Sequence, residues 1–236
     1  MRHRRTRATV NGMTETQLLD RAPFSPRVTA AAMAAGGILL LAGLAVTPWE
    51  DEATMAAYQD ALAAHPTQGQ ISATLLFLGF LTLPLISIGL HCAVPGRGRL
   101  RSTVACVAIF GGLALPGALV SDFYDIALAQ ELPRAQGVHV AEQAQGYLPA
   151  AILSGLGMLS MLGLLGLLVI AWRARVVQLS TPALFVVGWL VPIVGGVGLV
   201  PAVIGGVFIL AALATGARAL LSGASTPLAA ARPAPA

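Results

Sequence analysis

One uncharged stretch of the sequence constrains the fold more than any other feature. It covers residues 147–172, begins and ends with the aromatic residues Tyr147 and Trp172, and contains only apolar residues, glycines, two serines and one proline between them. At a helical rise of about 1.5 Å per residue, it crosses the roughly 30 Å hydrocarbon core of a bilayer. Aromatic residues favour the headgroup level, and Arg173 and Arg175 follow directly, as is typical of the cytoplasmic end of a span. The stretch therefore predicts a membrane-spanning helix that orients the whole chain.

The composition predicts that lipid, rather than water, surrounds most of the chain. Hydrophobic residues make up 56% of the sequence and charged residues only 10%, whereas a soluble domain carries about a quarter of charged residues. We therefore predict an all-α fold, a polytopic transmembrane helical bundle. The net charge of +4 does not indicate a nucleic-acid partner, because the basic residues are scattered between apolar runs. All of them are arginines, which excludes a Walker-type phosphate loop and a Schiff-base lysine.

Six segments have the apolar composition of a membrane span. They share uncharged interiors and are residues 26–46, 70–92, 102–121, 148–172, 181–197 and 201–221. We take residues 25–221 as one transmembrane domain. It is flanked by an arginine-rich tail at residues 1–24 and by a disordered tail at residues 222–236. An even number of spans places both tails on the same side, which we predict to be the cytoplasm.

The distribution of charge supports this topology independently of hydropathy. With six spans, every arginine except Arg134 lies on the cytoplasmic side, and every acidic residue except Glu15 and Asp20 lies outside. An excess of arginine beside the cytoplasmic ends of spans is what sets orientation. The sequence thus predicts a multi-pass protein of the cell membrane, either plasma or inner, with cytoplasmic termini.

A short helix is predicted outside the membrane between the first two spans. Thr47 is the expected N-cap, Pro48 lies in the first turn, and Glu50 completes a capping box. The helix is expected to end before His65, because Pro66 disfavours helical backbone in the residue before it. Its polar residues are too many for a span, so we place it on the outer membrane surface with Tyr58 as an interface anchor.

Two segments of this first hairpin carry a resemblance to other proteins. They are Thr47-Pro48-Trp49-Glu50 and Leu62-Ala63-Ala64-His65-Pro66, and an apolar span follows them. This order resembles small multi-pass membrane proteins that are common in GC-rich actinobacteria. The resemblance is confined to the first hairpin, and it implies a membrane location without implying an activity.

Small residues spaced four apart predict where the helices approach each other closely. Lipid provides little hydrophobic driving force between helices, so close packing has to hold them together. The pairs are Ala108 with Gly112, Ala151 with Gly155, Ala202 with Gly206, and Ala212 with Gly216. We expect each pair to face a neighbouring helix.

Three prolines fall near the middle of predicted spans, at Pro84, Pro116 and Pro192. Each removes one helical hydrogen bond and frees a backbone carbonyl. A freed carbonyl at that depth has to be covered by protein or by water. Three such breaks are consistent with ordinary kinks in a packed bundle, or with a cavity in a channel or facilitator for a neutral small solute.

Carboxylates and histidines gather in the predicted outer segments. The candidates for a ligand or ion site are Asp122, Asp125, His139, Glu142 and His65. Asp122 and Asp125 are three apart, as are His139 and Glu142, so each pair shares a face if the segment is helical. Such groups can hold a divalent ion or act as acid and base, which would suit a membrane enzyme or metal site at the outer face. The alternative is that they are solvated charges at a helix mouth.

No ionisable residue lies in the middle of any predicted span. Proton pumps, ion-coupled transporters and voltage sensors generally need one there, so the sequence argues against these classes. It favours a non-enzymatic structural, regulatory or partner-binding bundle with an acidic outer cap and no cofactor. The expected partners are the lipid bilayer and either a membrane protein or a second copy of the chain. The facilitator and the outer-face enzyme remain the alternatives.

Overall fold

The computed structural model describes residues 24–50, 52, 54–95, 98–196 and 198–224. This part of the chain forms eight α-helices and no strand, which confirms the all-α prediction. The helices are α1 Pro26–Val46, α2 Met55–Ala64, α3 Pro66–Ala93, α4 Arg99–Glu131, α5 Arg134–Gln145, α6 Leu148–Arg173, α7 Ser180–Gly195 and α8 Leu199–Ala224. Residues 1–23 of the predicted N-terminal tail and residues 225–236 of the C-terminal tail lie outside the described residues.

Five helices are long and apolar enough to cross a membrane, namely α1, α3, α4, α6 and α8. The protein is therefore a membrane-embedded, multi-pass helical bundle. Helix α7 is equally apolar but has only 16 residues, so its length is about 24 Å. The short helix α2 lies between α1 and α3, where the sequence predicts a helix too polar to span.

The start of α1 follows its sequence signals, but the start of α2 does not. Ser25 caps α1 by accepting a 3.4 Å hydrogen bond from the Val28 amide. Thr47, predicted to cap α2, instead ends α1: its hydroxyl donates to the Gly43 carbonyl at 2.9 Å and lies 2.7 Å from the Ser72 hydroxyl of α3. Helix α2 begins later, where Thr54 takes over as N-cap. The predicted boundary is therefore wrong, because Thr47 is engaged in joining α1 to α3.

Glycines set the close approach of α1 and α3 and reveal its direction. Gly43 of α1 lies against Leu76, whereas Gly79 of α3 lies against Leu40 and Gly89 lies against Thr29. Residue numbers therefore rise along α3 as they fall along α1, which shows that the two helices are antiparallel. The contacts between α3 and α4, α4 and α6, α1 and α8, and α7 and α8 follow the same antiparallel pattern.

The predicted small-residue pairs face neighbouring helices in three cases out of four. On α4, a methyl group added to Gly112 would lie 3.2 Å from the ring of Pro84. On α8, Ala202 and Ala212 are buried, and Gly206 and Gly216 lie against α1 side chains. The prediction is wrong for Ala151 and Gly155, because nothing lies within 4 Å of a methyl group placed on Gly155. The first half of α6 is mainly exposed, and spacing alone cannot show which face of a helix is covered.

The antiparallel arrangement gives the bundle two chemically different ends. We call the end where α1, α4 and α7 begin and where α3, α6 and α8 end the arginine end. Six described arginines lie there: Arg27, Arg99, Arg101, Arg173, Arg175 and Arg218. The opposite end, which carries α2 and α5, is the carboxylate end. The described acidic residues all lie there: Glu50, Glu52, Asp60, Asp122, Asp125, Glu131 and Glu142.

The main apolar core lies toward the arginine end. Its fully buried side chains include Met33, Ile86, Leu90, Leu167 and Leu213. They come from the first half of α1 and from the second halves of α3, α6 and α8. The carboxylate end is therefore held less by apolar packing, and its polar contacts matter more.

Candidate functional site

The candidate site lies in a cap at the carboxylate end, formed by α2, the last part of α4, and α5, which pack on one another. The 20 residues of the apolar segment 102–121 already cover about 30 Å. Residues 122–131 of α4 therefore extend beyond the span as helix, carrying Asp122 and Asp125 on the same side. Helix α5 continues the cap where the sequence indicated only an aqueous segment.

Two polar contacts tie α2 to the rest of the cap. Arg134 at the start of α5 donates two hydrogen bonds to the carboxylate of Asp60 on α2, from Nε to Oδ1 at 2.6 Å and from Nη2 to Oδ2 at 2.7 Å. Gln130 of α4 donates from Nε2 to the Ala63 carbonyl at 3.2 Å. The Arg134 hydrogen bonds lower the pKa of Asp60, so this pair stays charged at neutral pH. These contacts connect α2 to α5 and to the end of α4.

The position of α2 brings Tyr58 to the two predicted aspartates. The phenol of Tyr58 is half-buried and forms a hydrogen-bonding interaction with the carboxylate of Asp122. Burial and the nearby Asp125 carboxylate raise the pKa of Asp122 to about 7, although the Tyr58 hydrogen bond partly opposes this shift. Burial also raises the pKa of Asp125. At neutral pH, Asp122 is therefore divided between its protonated and charged forms.

Tyr58 itself remains a hydrogen-bond donor at any physiological pH. Its pKa is raised far above the usual value, first by burial and then by the carboxylates of Asp122, Asp125 and Glu50. The neutral phenol therefore adds no negative charge of its own and can donate a hydrogen bond to the Asp122 carboxylate. The sequence interpretation of Tyr58 as an interface anchor missed this role, because no local pattern links it to a residue so far along the chain.

A cavity of about 430 Å³ opens beside the aspartate pair, between α4, α5 and α6. Its polar lining comes from the Asp125 carboxylate, the hydroxyls of Ser121 and Ser154, and Gln145. Alanines and Gly117 provide most of the remaining wall. These residues are small, so they leave the space between the helices open. One carboxylate with neutral hydroxyl and amide groups around it is suited to a ligand that carries a single positive charge.

A second, much smaller cavity of about 70 Å³ lies under the ion pair of Asp60 and Arg134. Gln59 lines it and is 3% exposed. Neither polar atom of the Gln59 side chain has a hydrogen-bond partner among the described residues. A buried amide of this kind is ordinarily satisfied by water, and a cavity of this size accommodates water molecules. The cap is thus polar inside as well as at its surface.

The remaining predicted site residues lie apart from this centre. His139 and Glu142 are exposed on α5, and His65 is exposed at the junction of α2 and α3. Within the described ranges, no group of three or more histidine, cysteine, aspartate or glutamate side chains is arranged to hold a metal ion. The structure therefore brings Asp122 and Asp125 together with Tyr58, without assembling the five predicted residues into one coordination sphere.

The three prolines pack against neighbouring helices. Pro84 is buried against Gly112 of α4, and Pro192 lies against Gly205 of α8. The Gly188 carbonyl that Pro192 frees is also covered by Gly205. Pro116 is buried. None of the three lines the cavities described in this part of the chain.

An apolar cavity of about 160 Å³ lies in the middle of the bundle. Its wall contains Phe80, Phe185 and Trp189 together with leucine, isoleucine and methionine side chains, and it exposes no polar surface. Cavities of this character generally contain no water. It therefore gives a polar solute no favourable contact inside the bundle.

Comparison with known proteins adds no assignment to this geometry. No protein-family model matches the chain, and no curated protein or solved structure matches it.

Proposed function

We propose that this protein is a six-span protein of the cell membrane with both termini in the cytoplasm. We further propose that it acts as a non-enzymatic binding bundle, whose carboxylate cap recognises a positively charged group of a partner on the outer side. The observation that carries the binding proposal is the 430 Å³ cavity with the Asp125 carboxylate in its wall, next to Asp122 and Tyr58.

The separation of charge between the two ends supports the orientation. Six described arginines lie at one end, and the described acidic residues lie at the other. The end rich in arginine faces the cytoplasm in multi-pass proteins. Helix α7 counts as the sixth span because it runs antiparallel to α8 and its turn into α8 lies at the level where α1 ends.

Cysteine labelling in intact cells tests the orientation. Cys92 and Cys106 are both free and exposed, so both are first replaced by alanine. A membrane-impermeant maleimide should then label Gln143→Cys at the cap from outside, and should label Arg173→Cys only after permeabilisation. Labelling of Arg173→Cys in intact cells would overturn the proposed orientation.

Partly buried carboxylates favour a cation as partner. Ionised Asp125 loses solvation where it is buried, as its raised pKa indicates, and Asp122 adds a like charge beside it whenever it is ionised. A cation in the cavity restores favourable interactions to both. Arg134, the one described arginine at this end, is already paired with Asp60. The cavity therefore has to obtain its positive charge from outside the cap.

A lysine peptide provides a direct binding test. Tetralysine binding is measured on the full-length protein in nanodiscs of zwitterionic phosphatidylcholine, with tetraglutamate as the negative control. We expect Asp125→Asn to weaken tetralysine binding by about tenfold, the effect of about 1.4 kcal/mol of lost interaction. The matched control is Glu142→Gln, which removes the same charge from the cap surface away from the cavity.

Two results would count against the binding proposal. One is equal tetralysine affinity in Asp125→Asn and the unmodified protein. The other is an equal loss in Asp125→Asn and Glu142→Gln, because that pattern means a diffuse surface charge effect. The labelling result does not depend on either outcome, so orientation and binding are tested separately.

The two alternative functions receive less support from the geometry. Pro84 and Pro192 pack against glycines, and Pro116 is buried. None of the three therefore supplies the water-filled lining that a facilitator for a polar solute would need. The histidines of an outer-face enzyme or metal site are exposed and lie apart from the aspartate pair.

A further inference from the structure

The arginine end contains a cavity with a volume of about 1240 Å³. It forms because α7 is shorter than the helices around it. The hydroxyls of Thr181 and Thr215 lie 3.2 Å apart, so α7 begins at the level of Thr215, whereas α8 continues to Ala224. The connection between α6 and α7 and the last turns of α8 then enclose the space below α7.

The wall of this cavity contains both polar and apolar groups. Arg175 and Arg218 provide two guanidinium groups, and Gln178, Thr215 and Ser222 provide neutral polar groups. Val176, Leu179 and Leu220 contribute apolar surface, and so does Trp172. Tryptophan at the end of a membrane-spanning helix lies at the headgroup level, so the cavity opens where lipid headgroups are found.

The backbone holds one of the two arginines in an unusual conformation. Helix α6 ends in a Schellman motif, in which the Arg175 amide donates to the Trp172 carbonyl and the Val176 amide donates to the Ala171 carbonyl, both at 2.9 Å. The residue in the left-handed position of this motif is usually glycine, but here it is Arg175 with φ of 60°. Left-handed backbone is unfavourable for a residue with a Cβ, and helix ends generally avoid it with glycine. Arg175 thus places a side chain with a guanidinium group at a position where the backbone conformation favours glycine.

The cavity contains no negative charge of its own. No carboxylate lines it, and the described acidic residues all lie at the opposite end of the bundle. Glu15 and Asp20 lie outside the described ranges, and five arginines accompany them in residues 1–23. That segment is therefore net basic. A counter-charge has to come from another molecule.

We propose that this cavity is a binding site for the headgroup of an anionic phospholipid, held by Arg175 and Arg218. The phosphate accepts hydrogen bonds from the two guanidinium groups, and the apolar wall contacts the upper parts of the acyl chains. Basic pockets between membrane helices are suited to such headgroups. This site lies at the opposite end from the carboxylate cap and does not depend on the function proposed for it.

Quenching of Trp172 fluorescence by brominated lipid tests the proposal. Trp49 and Trp189 are replaced by phenylalanine in the full-length chain, so that Trp172, which lines the cavity, is the sole tryptophan. The protein is reconstituted in mixtures of brominated phosphatidylglycerol or brominated phosphatidylcholine with unlabelled lipid. We expect phosphatidylglycerol to be preferred by roughly thirtyfold at this site, as two arginines near the membrane surface imply.

Variants separate binding from a purely structural role of the arginines. The double substitution Arg175→Gln with Arg218→Gln should abolish the preference, and Arg175→Lys should retain most of it. Arg134→Gln, which removes one positive charge at the other end, should leave it unchanged. If the arginines serve only to complement the C-terminal ends of α6 and α8, the double variant will be less stable but will keep the same lipid preference, which would overturn the proposal.

Two further arms identify the source of the counter-charge. Millimolar inorganic phosphate should not displace phosphatidylglycerol, and full displacement would mean that the site takes a free anion. Glu15→Gln with Asp20→Asn should leave the preference unchanged. If that double substitution instead creates a preference that the unmodified chain lacks, the occupant is the N-terminal segment and the lipid proposal is wrong.

Discussion

The two ends of the bundle handle their charges in opposite ways. At the carboxylate end, the charges are paired or shielded: Asp60 is bound to Arg134, and Asp122 faces Tyr58 beneath α2. At the arginine end, Arg175 and Arg218 line a cavity of about 1240 Å³ without a carboxylate. Part of the charge at one end is therefore paired or buried within the cap, whereas the two arginines in the cavity wall at the other end have no carboxylate beside them in that wall.

The two ends of the bundle also differ in their apolar packing. The arginine end contains the main apolar core, in which residues such as Leu167 and Leu213 are fully buried. The carboxylate end has the exposed first half of α6 and the 430 Å³ cavity. The main apolar core lies toward the same end as the 1240 Å³ cavity, while the cap is connected by a few polar contacts. Changes at the two ends should consequently have different kinds of effect.

The largest effect is expected from glycine substitutions in the two halves of α6. A methyl group on Gly163 would lie 2.6 Å from the Ala108 backbone nitrogen, so Gly163→Ala forces α4 and α6 apart. The same change also disturbs the 3.1 Å hydrogen bond from Ser160 to the Ala108 carbonyl. We expect it to lower the free energy of unfolding by about 2 kcal/mol, measured by circular dichroism during titration of mixed micelles with SDS.

Gly155→Ala is the matched control in the other half of the same helix. Nothing lies within 4 Å of a methyl group at that position, so the substitution should be neutral or stabilising by up to about 1 kcal/mol. Equal destabilisation by the two changes would show that α6 is packed along its whole length. In that case the contrast between a dense arginine end and an open carboxylate end would not hold.

Sequence patterns identify the long helices and the separation of charge, because both depend on local composition. They do not identify the interactions of the cap. Arg134 and Asp60 are 74 positions apart, and nothing near either residue indicates its partner. Likewise, Tyr58 meets Asp122 only because α2 folds back over the end of α4. The spacing of Ala151 and Gly155 was misleading for a related reason, since a neighbouring helix is needed to show which small residues are covered.

A medium effect is expected from pH through Asp122. Its pKa is 3.8 in an unstructured chain and about 7 in the fold. Between these values the folded protein retains a proton that the unfolded chain has lost, so stability should fall as pH rises from about 4.5 to about 7 and level off above that. Asp125 shifts in the same direction. The melting temperature of the protein in detergent, followed by tryptophan fluorescence, should therefore decrease by several degrees over this interval.

Asp122→Asn should remove most of this pH dependence, because the amide cannot titrate. Glu142→Gln, which changes an exposed acid on α5, should leave the profile as it is. Tyr58→Phe removes the hydrogen bond that lowers the pKa of Asp122, so it should shift the inflection to higher pH. A flat profile in the unmodified protein would mean that the cap does not shield Asp122 from water, and the two ends would then differ less than we infer.

The smallest effect is expected from the most visible ion pair of the cap. Arg134 and Asp60 form two short hydrogen bonds, yet their side chains are 64% and 52% exposed. Water and salt weaken an attraction between exposed charges, and two long side chains lose freedom when they pair. We therefore expect Arg134→Gln to leave the melting temperature at pH 7 unchanged within error.

Because pairing lowers the pKa of Asp60, whatever stability the pair provides is present above about pH 4 and is lost as pH falls further. A large loss of stability in Arg134→Gln at pH 7, absent at 1 M salt, would show that this contact governs how α2 covers the aspartate pair. The internal pairing of charges at the carboxylate end would then have a stronger structural role than its exposure suggests.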